Sequence, residues 1–295
     1  TLVVEREAIG GQAGTSSLIR NYLGFSRGLS GSELAQRGFQ QAWVFGARFV
    51  LTRTVDRIEP VDGRFRATVS GQGAVTASAV VVSCGVAYRR LGVPAVEAFT
   101  GQGVYYGASV SAAHALTGLS AAVIGGGNSA GQAALQLARY CRSVHVIIRG
   151  ATLEATMSAY LIEAIAGEPV ITVHPSSAVT DAAGPGHLEE LSLTRLDTSE
   201  TTRVPVDGLF VMIGAEPRTE WLPEEVRRDE RGFVLTGSDT GEASDPPRQP
   251  HETSVRGLFA VGDVRSGSVK RVASAVGEGS VVMSEVHQHL SVPRR

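Results

Sequence analysis

The sequence predicts an α/β fold made of two similar, Rossmann-like units, one of them inserted into the other. Strand-like and helix-like segments alternate along the 295 residues. A glycine turn near residue 125 lies between an apolar strand and a helix, and a second apolar strand ends in an acid before a long C-terminal helix. Such alternation is typical of parallel sheets flanked by helices.

The first portion begins with the strand "TLVVE" and the glycine turn "IGGQAG". Ser30 lies three residues before Glu33, a capping box that predicts the start of a helix. The segments "ARFVLTRTVDRI" and "RFRATVS" follow, and the turn at Asp62 and Gly63 predicts that they are joined as a hairpin. The run "SAVVVSCG" predicts a buried strand that closes this portion.

The inserted portion carries a glycine fingerprint, "GGGNSA" at 125–130, between an apolar strand and a helix. Gly125 permits a tight turn, Gly127 lets the backbone approach a pyrophosphate, and Ala130 keeps the helix close to the sheet. The free N–H groups of a helix N-terminus favour a bound anion. The residues predicted to form this site are Gly125, Gly127, Asn128, Ser129 and Ala130.

Beyond the fingerprint, the segment 153–167 predicts a helix, and strands follow at "VITVH", "LEELSLTRL" and "DGLFVMIG". The last portion pairs the strand "GLFAVGD" with a long helix. The apolar residues of that helix recur at three- and four-residue steps and predict a buried face formed by Val272, Val276, Gly279, Met283 and Val286. Two interpretations of Asp263 stay open: a carboxylate that binds a polyol, or a cap of the next turn.

Composition argues against several function classes. The net charge of −2 gives no reason to expect nucleic acid or an acidic membrane as a partner, and no apolar run approaches the roughly 20 residues that a bilayer requires. The two cysteines, Cys84 and Cys141, have neither metal-type nor paired spacing, so no metal site is predicted. We therefore expect a soluble, cytoplasmic protein.

Five motifs together resemble the thioredoxin-reductase-like branch of the pyridine nucleotide-disulfide oxidoreductases. They are "GGQ" at 10–12, "NYLGF" at 21–25, "GGGNSA" at 125–130, "DGLFVMIGAEPRT" at 207–219, and "GLFAVGDVR" with "VKRVASAVGEG" at 257–279. The resemblance implies an FAD domain formed by residues 1–88 and 215–295, with an NAD(P)H domain, residues 89–214, inserted between them. It also implies a homodimer.

The same resemblance implies roles for individual residues at the FAD site. Residues 10–12 and Asn21 line the flavin, Glu5 occupies the ribose-binding position, and Asp263 holds the ribityl chain. A helix that starts at 271–273 is aimed at the isoalloxazine ring, where its N-terminus stabilises negative charge. The residues so assigned are Glu5, Gly10, Gly11, Gln12, Asn21, Gly262, Asp263, Arg271, Val272 and Ala273.

Two departures from the family pattern matter for function. The cysteine positions of the redox disulfide fall on Gly107 and Val110, so no catalytic thiol pair is predicted, and the chain resembles a Cys-less group of the family. Tyr105 and Tyr106 either present a flavin-facing surface in its place or pack in the core. In addition, the first strand, the glycine turn and the first helix of the FAD domain, a segment of roughly 30 residues, are absent from this chain. We expect a fragment of a longer product, or else a truncated protein that binds FAD weakly.

These inferences predict an FAD-dependent NAD(P)H oxidoreductase that delivers electrons to a non-dithiol acceptor, either a small molecule such as a quinone or oxygen, or a carrier protein. The alternatives are a thioredoxin-disulfide reductase with its dithiol elsewhere and a non-catalytic nucleotide-binding or sensory module. Arg149, at the end of the second strand of the insert, favours the 2′-phosphate of NADPH. Glu154 occupies the position of a further arginine in NADPH-using relatives, so NADH also remains an expected substrate.

Overall fold

The structure is a computed structural model that describes residues 1–16, 19, 21–106, 110–241 and 247–291. The chain separates into two compact units. Unit 1 comprises Thr1–Ala87 and Glu216–Arg295, and unit 2 comprises Tyr88–Ala215. Unit 2 is therefore an insertion between the two segments of unit 1.

The first segment of unit 1 confirms the predicted cap and hairpin. The Ser30 side chain accepts a hydrogen bond from the Glu33 N–H at 3.0 Å, and the hairpin turn places Asp62 and Gly63 at φ 49° and 70°. The segment before this hairpin forms two strands, because Thr52, at φ 56°, interrupts it. The elements are β1 (Leu2–Glu5), α1 (Gly11–Gly14), α2 (Gly31–Val44), β2 (Arg48–Leu51), β3 (Val55–Val61), β4 (Arg64–Val69), β5 (Gly73–Ala77), β6 (Val80–Val82) and β7 (Val86–Tyr88).

Unit 2 contains the predicted strand–turn–helix–strand sequence and, further along, two strands at 177–183 and 201–205 that sequence reasoning missed. The first of them, "SAVTDAA", consists mostly of small or polar residues, and the second, "TTRVP", holds a single large apolar residue, so both give little apolar signal. The elements are α3 (Pro94–Glu97), β8 (Val104–Tyr106), α4 (Val110–Ala115), β9 (Ser120–Ile124), α5 (Asn128–Ala138), β10 (Ser143–Ile147), α6 (Ala159–Ala166), β11 (Ile171–His174), β12 (Ser177–Ala183), β13 (Glu190–Arg195), β14 (Thr201–Pro205) and β15 (Gly208–Val211). The short strand β16 (Ala215–Pro217) follows at the boundary, with its last two residues in unit 1.

The centre of unit 2 is a five-stranded parallel sheet in the order β11-β10-β9-β15-β8. All five residues of β9 are buried, as expected for a strand covered on both faces. On one face, residues of α5 and α6 form an apolar cluster with the sheet, and on the other face the antiparallel sheet β12-β13-β14 packs. This doubly covered sheet places the β9–α5 turn at its carboxyl edge.

The second segment of unit 1 adds β17 (Leu258–Ala260) and α7 (Val272–Ser291). Strand β17 pairs with β6 in parallel, and β1 pairs with β2 in parallel, as a separate sheet. A third sheet, β3-β4-β5, is antiparallel. The parallel strands of unit 1 are thus divided between two pairs in the described part of the chain. No helix in that part is both long and apolar enough to cross a bilayer.

Helix α7 buries only part of the face that the apolar periodicity predicted: Val286 packs against the cluster of Phe259, Val261 and Val282, but other members of the face do not. Val276 is 52% exposed and Met283 is 48% exposed, whereas Val282 and Glu285 are buried. The face that contacts β17 and its flanking loops carries Glu278, Val282, Glu285 and His289, so that polar side chains occupy much of it. The prediction was wrong for Val276 and Met283 because it counted only apolar residues, and so omitted two glutamates that have hydrogen-bond partners on the packed face.

Candidate dinucleotide sites

The β9–α5 turn in unit 2 requires glycine at its first position. Gly125 has φ 145°, and a Cβ there would lie 2.6 Å from the Met212 carbonyl oxygen and 3.1 Å from the Cβ of Ala130. Ala130 is fully buried, so that a larger side chain would force α5 away from the sheet. The turn and the small helix residue therefore bring the α5 N-terminus close to the sheet edge.

The α5 N-terminus is open where the turn approaches it. Gly127 is the N-cap residue and provides no side-chain cap, and a Cβ on it would meet no atom closer than the Thr156 carbonyl oxygen at 3.9 Å. Ser129 is exposed in the first turn. Uncapped N–H groups at the positive end of a helix, with free space beside them, fit the pyrophosphate of a dinucleotide. The residues present in unit 2 thus suit NADPH.

A polar clasp that sequence reasoning missed holds this turn from the loop after β10. The Thr156 hydroxyl donates to the Gly126 carbonyl at 2.7 Å, the Ser158 N–H donates to Asn128 Oδ1 at 2.8 Å, and Asn128 Nδ2 donates to Ser158 Oγ at 3.0 Å. The predicted helix over 153–167 consequently exists only as α6, with Ser158 as its N-cap residue. Because its amide is used within the protein, Asn128 offers a ligand chiefly its backbone N–H. The sequence feature that could have indicated this clasp is the pair of hydroxyl residues, Thr156 and Ser158, in "TMS".

Arg149 lies two residues beyond the end of β10, which stops at Ile147. Its side chain is exposed and forms no hydrogen bond or ion pair with another described residue. Glu154, in the same loop, is also at the surface, and a hydrogen bond from the Thr152 side chain lowers the pKa of its carboxyl. A guanidinium without a protein partner suits a phosphate, and an ionised acid in the same loop opposes its binding.

In unit 1, the segment 10–12 is held by backbone packing and by one side-chain anchor. Gly10 has φ 94°, and a Cβ there would lie 2.4 Å from the Cβ of Ala35, because α1 packs closely against α2. Gln12 Nε2 donates to the Val86 carbonyl oxygen. By contrast, a Cβ on Gly11 would meet nothing within 4 Å. Close helix packing therefore explains why a glycine is needed at position 10, whereas the space next to Gly11 is open.

Two further predicted FAD residues of this segment lie in different settings. The half-buried Glu5 ends β1, and its Oε1 accepts the Glu7 N–H at 3.0 Å. An acid at the end of a parallel strand matches the ribose-binding position of a dinucleotide fold. Asn21 is exposed at the start of the loop 21–26, where Tyr22 and Phe25 pack at a ring distance of 6.1 Å. No contact among the described residues brings Asn21 to Glu5.

The Asp263 carboxylate is the polar group best placed to bind a ligand in unit 1. The residue follows Gly262 in a 3₁₀ turn after β17, is half-buried, and forms no hydrogen bond or ion pair with another described residue. The pKa of the Asp263 carboxyl is raised, chiefly by burial. The positive charges of Lys270 and Arg271 lower this pKa, and the negative charge of Glu278 raises it further. A desolvated carboxylate that lacks a protein donor fits the hydroxyl groups of a ribityl chain. The residues present therefore suit FAD at this turn.

Helix α7 begins at Val272, at the position that the family resemblance implied. The Arg271 carbonyl accepts the Ala275 N–H at 3.0 Å and so closes the first turn, while Arg271 and Ala273 are exposed. Arg271 Nη1 donates to the Lys270 carbonyl at 2.9 Å. The N-terminus of a 20-residue helix is thus accessible. Its partial positive charge would stabilise an anionic group bound at this end of the helix.

Neither cysteine is suited to thiolate chemistry. Cys84 is in unit 1 and Cys141 is in unit 2, and both are free thiols. Although Cys84 is exposed as a residue, its sulfur lies 3.7 Å from the Arg218 carbonyl oxygen, and desolvation raises the thiol pKa to about 11. Burial, together with the Asp207 charge, raises the pKa of Cys141 to about 11. Both thiols are therefore protonated near neutral pH.

The segment expected to hold the redox cysteines is described only in part. Gly107 lies outside the described residues, and Val110 begins α4. The tyrosines before it pack within unit 2. The Tyr105 ring lies 5.4 Å from that of Phe210, and the Tyr106 hydroxyl hydrogen-bonds to Glu97 and accepts the Leu91 N–H at 3.1 Å. Of the two interpretations of these tyrosines, core packing agrees with these contacts.

The sequence matches the family described as pyridine nucleotide-disulphide oxidoreductase over residues 1–279. The chain belongs to this family. It is therefore an FAD-dependent oxidoreductase of the thioredoxin-reductase-like type, and the cofactors of this type are FAD and NADPH.

Named relatives support the same assignment. The chain is 32% identical to the thioredoxin reductase of Treponema pallidum (strain Nichols), over 95% of this chain and 86% of that protein. It is 31% identical to the thioredoxin reductase of Mycolicibacterium smegmatis, over 98% of this chain and 88% of that protein. The crystal structure of thioredoxin reductase from Streptococcus pyogenes MGAS5005 superposes with a TM-score of 0.82 at 25% identity, covering 98% of this chain and 89% of that chain. The chain therefore shares the family's two-domain dinucleotide-binding fold.

Proposed function

We propose that this member of the family oxidises NADPH and passes the electrons, through FAD, to an acceptor that is not a dithiol. The observation that carries the proposal is the state of the thiols. The only two cysteines stand 57 positions apart in sequence, at 84 and 141, in different units, and each has a pKa of about 11. A thiol–disulfide relay needs a thiolate and a partner sulfur, and this chain offers neither.

The other elements of the proposal assign unit 2 to NADPH and unit 1 to FAD. In unit 2, the α5 N–H groups bind the pyrophosphate and Arg149 binds the 2′-phosphate. In unit 1, Glu5 accepts hydrogen bonds from the ribose and Asp263 accepts them from the ribityl chain, with Gly11, Gln12 and Asn21 lining the flavin. When bound, FAD supplies hydride acceptance and onward electron delivery. The α7 N-terminus at Val272 stabilises negative charge on the ring, and two protomers assemble into a homodimer.

One observation favours a second candidate, a thioredoxin reductase, because relatives at 31–32% identity carry that name. On that interpretation the dithiol comes from outside this chain. The two candidates differ in whether thioredoxin accepts electrons and whether the chain's own thiols matter.

The experiment is steady-state NADPH oxidation by the flavin-loaded protein with three acceptors: ferricyanide, a soluble benzoquinone, and thioredoxin coupled to insulin reduction. We expect turnover with the first two and none with thioredoxin. The double variant Cys84→Ser, Cys141→Ala should keep the ferricyanide rate within about twofold. Thioredoxin reduction, or a loss above tenfold in the variant, about 1.4 kcal/mol of transition-state stabilisation, would contradict the proposal. Absence of turnover with every acceptor from a yellow, flavin-loaded protein would instead favour the nucleotide-binding or sensory alternative.

A further inference from the structure

The turn that carries Asp263 is held by a glutamate on α7. Glu278 Oε2 accepts the Gly262 backbone N–H at 2.7 Å. Arg265, at the other end of the turn, donates from Nη2 to Glu278 Oε1 at 2.6 Å and from Nε to Oε2 at 3.3 Å. One carboxylate therefore fixes both ends of the 3₁₀ turn Gly262–Val264, and Asp263 lies between the two fixed points.

Packing restricts the helix position from which Glu278 acts. Val282, one turn further along α7, is 2% exposed and packs with Phe259 and Val261 at the end of β17. Close to one turn beyond that, Glu285 accepts the His251 N–H at 3.0 Å and contacts His251 Nδ1 at 2.8 Å. The Val282 packing, one turn from Glu278, thus fixes this part of α7 against β17, while the Glu285–His251 contact holds a part of the helix about two turns away from Glu278.

The two carboxyl groups at this turn, Glu278 and Asp263, differ in their hydrogen-bond partners and in the direction of their pKa shifts. Burial opposes ionisation of Glu278, but hydrogen bonds from Arg265 and from the Gly262 N–H outweigh it and hold the pKa of this carboxyl below its usual range. Both side chains of the Glu278–Arg265 pair are largely buried, at 15% and 20% exposure. Asp263 has no such donors, and its side chain remains available to a ligand. The Glu278–Arg265 pair therefore binds other parts of the protein, whereas the Asp263 carboxylate has no hydrogen-bond donor among the described residues.

We propose that Glu278 is a positioning residue of the FAD site, which fixes the Gly262–Val264 turn so that the Asp263 carboxylate points to the ribityl hydroxyls. The proposal rests on the proposed function in that unit 1 binds FAD. Glu278 itself does not touch the flavin, because its two oxygens are used by Gly262 and Arg265. Its effect on FAD binding must therefore pass through Asp263.

The test is a double-mutant cycle on FAD affinity, measured by quenching of flavin fluorescence on titration into flavin-free protein. The variants are Glu278→Gln, Asp263→Asn and the double variant. We expect Glu278→Gln, which keeps the shape but replaces one acceptor oxygen by a donor, to raise the FAD Kd about tenfold or more. In the Asp263→Asn background the same change should raise it less than about threefold, because coupled residues are not additive.

Glu285→Gln is the matched control. It alters a buried carboxylate of the same helix whose partner is His251, outside the Asp263 turn. We expect a lower melting temperature and an FAD Kd within about twofold of the wild type. This control separates a loss of helix packing from a loss of turn geometry.

The outcomes separate the positioning role from the proposed function. An unchanged FAD Kd in folded Glu278→Gln, or an equal loss in the Asp263→Asn background, would overturn the positioning role while leaving FAD binding by unit 1 intact. Wild-type protein that binds no FAD would overturn the proposed function and this inference together. If Glu278→Gln does not fold, Arg265→Lys tests the same clamp from the donor side, and an FAD Kd equal to that of the wild type would again overturn the role.

Discussion

Substitution by alanine should have different effects at two glycines of one turn: at Gly125 it should lower stability, and at Gly127 it should lower NADPH affinity. In Gly125→Ala the new Cβ would lie 2.6 Å from the Met212 carbonyl oxygen, at φ 145°. Strain in this backbone region costs about 1–3 kcal/mol, and overpacking costs about 1–3 kcal/mol. We therefore expect the free energy of unfolding to fall by about 2–6 kcal/mol, a large part of the usual total of about 5–15 kcal/mol.

Gly127→Ala is the matched variant, since its Cβ would meet only the Thr156 carbonyl oxygen at 3.9 Å. Its stability should change by about 1 kcal/mol or less, the scale of an N-cap replacement. Its NADPH affinity should nevertheless fall by about tenfold or more, because the methyl group fills the space next to the α5 N–H groups that the pyrophosphate would occupy.

Urea unfolding followed by far-UV circular dichroism measures the first effect. Both tryptophans, Trp43 and Trp221, lie in unit 1, so that tryptophan fluorescence reports the other unit in the same samples. Isothermal titration with NADPH measures the second effect. A free energy of unfolding within about 0.5 kcal/mol of the wild type in Gly125→Ala, the scale of an ordinary surface substitution, would refute the steric argument. Unchanged NADPH affinity in Gly127→Ala would remove that residue from the site.

Three further predictions concern Arg149, Asp263 and assembly. Arg149→Ala should lower kcat/KM for NADPH about tenfold and kcat/KM for NADH less than twofold. Glu154→Gln should raise the ratio of kcat/KM for NADPH to that for NADH. An unchanged ratio in Arg149→Ala would exclude a role of Arg149 in 2′-phosphate binding. Burial raises the folded-state pKa of Asp263, so its ionised form costs stability at pH values above that pKa and the cost disappears as the pH falls below the ordinary value of 3.8. Asp263→Asn should therefore raise the melting temperature of the flavin-free protein at about pH 7, gain nothing near pH 3, and weaken FAD binding about tenfold; a lower melting temperature at neutral pH would contradict this sign. Sedimentation velocity at micromolar concentration should give a homodimer, and a monomer would be the contrary result.

The sequence by itself determined features that depend on residues close together in the chain. The Ser30 cap, the hairpin at Asp62 and Gly63, and the strand–glycine turn–helix around Gly125 were all predicted and are all present. Each is set by backbone geometry and hydrogen bonds over a few residues, which a local pattern specifies.

Only the tertiary structure decided the features that join distant segments. The clasp from Thr156 to Gly126 spans 30 positions, and Gly10 is a glycine because Ala35 approaches it across two helices. The buried face of α7 is chosen by β17, so it includes Glu278 and excludes Val276. A local periodicity cannot identify such a face, because burial of a charged side chain becomes favourable only when a partner such as Arg265 or the Gly262 N–H is brought to it by the fold.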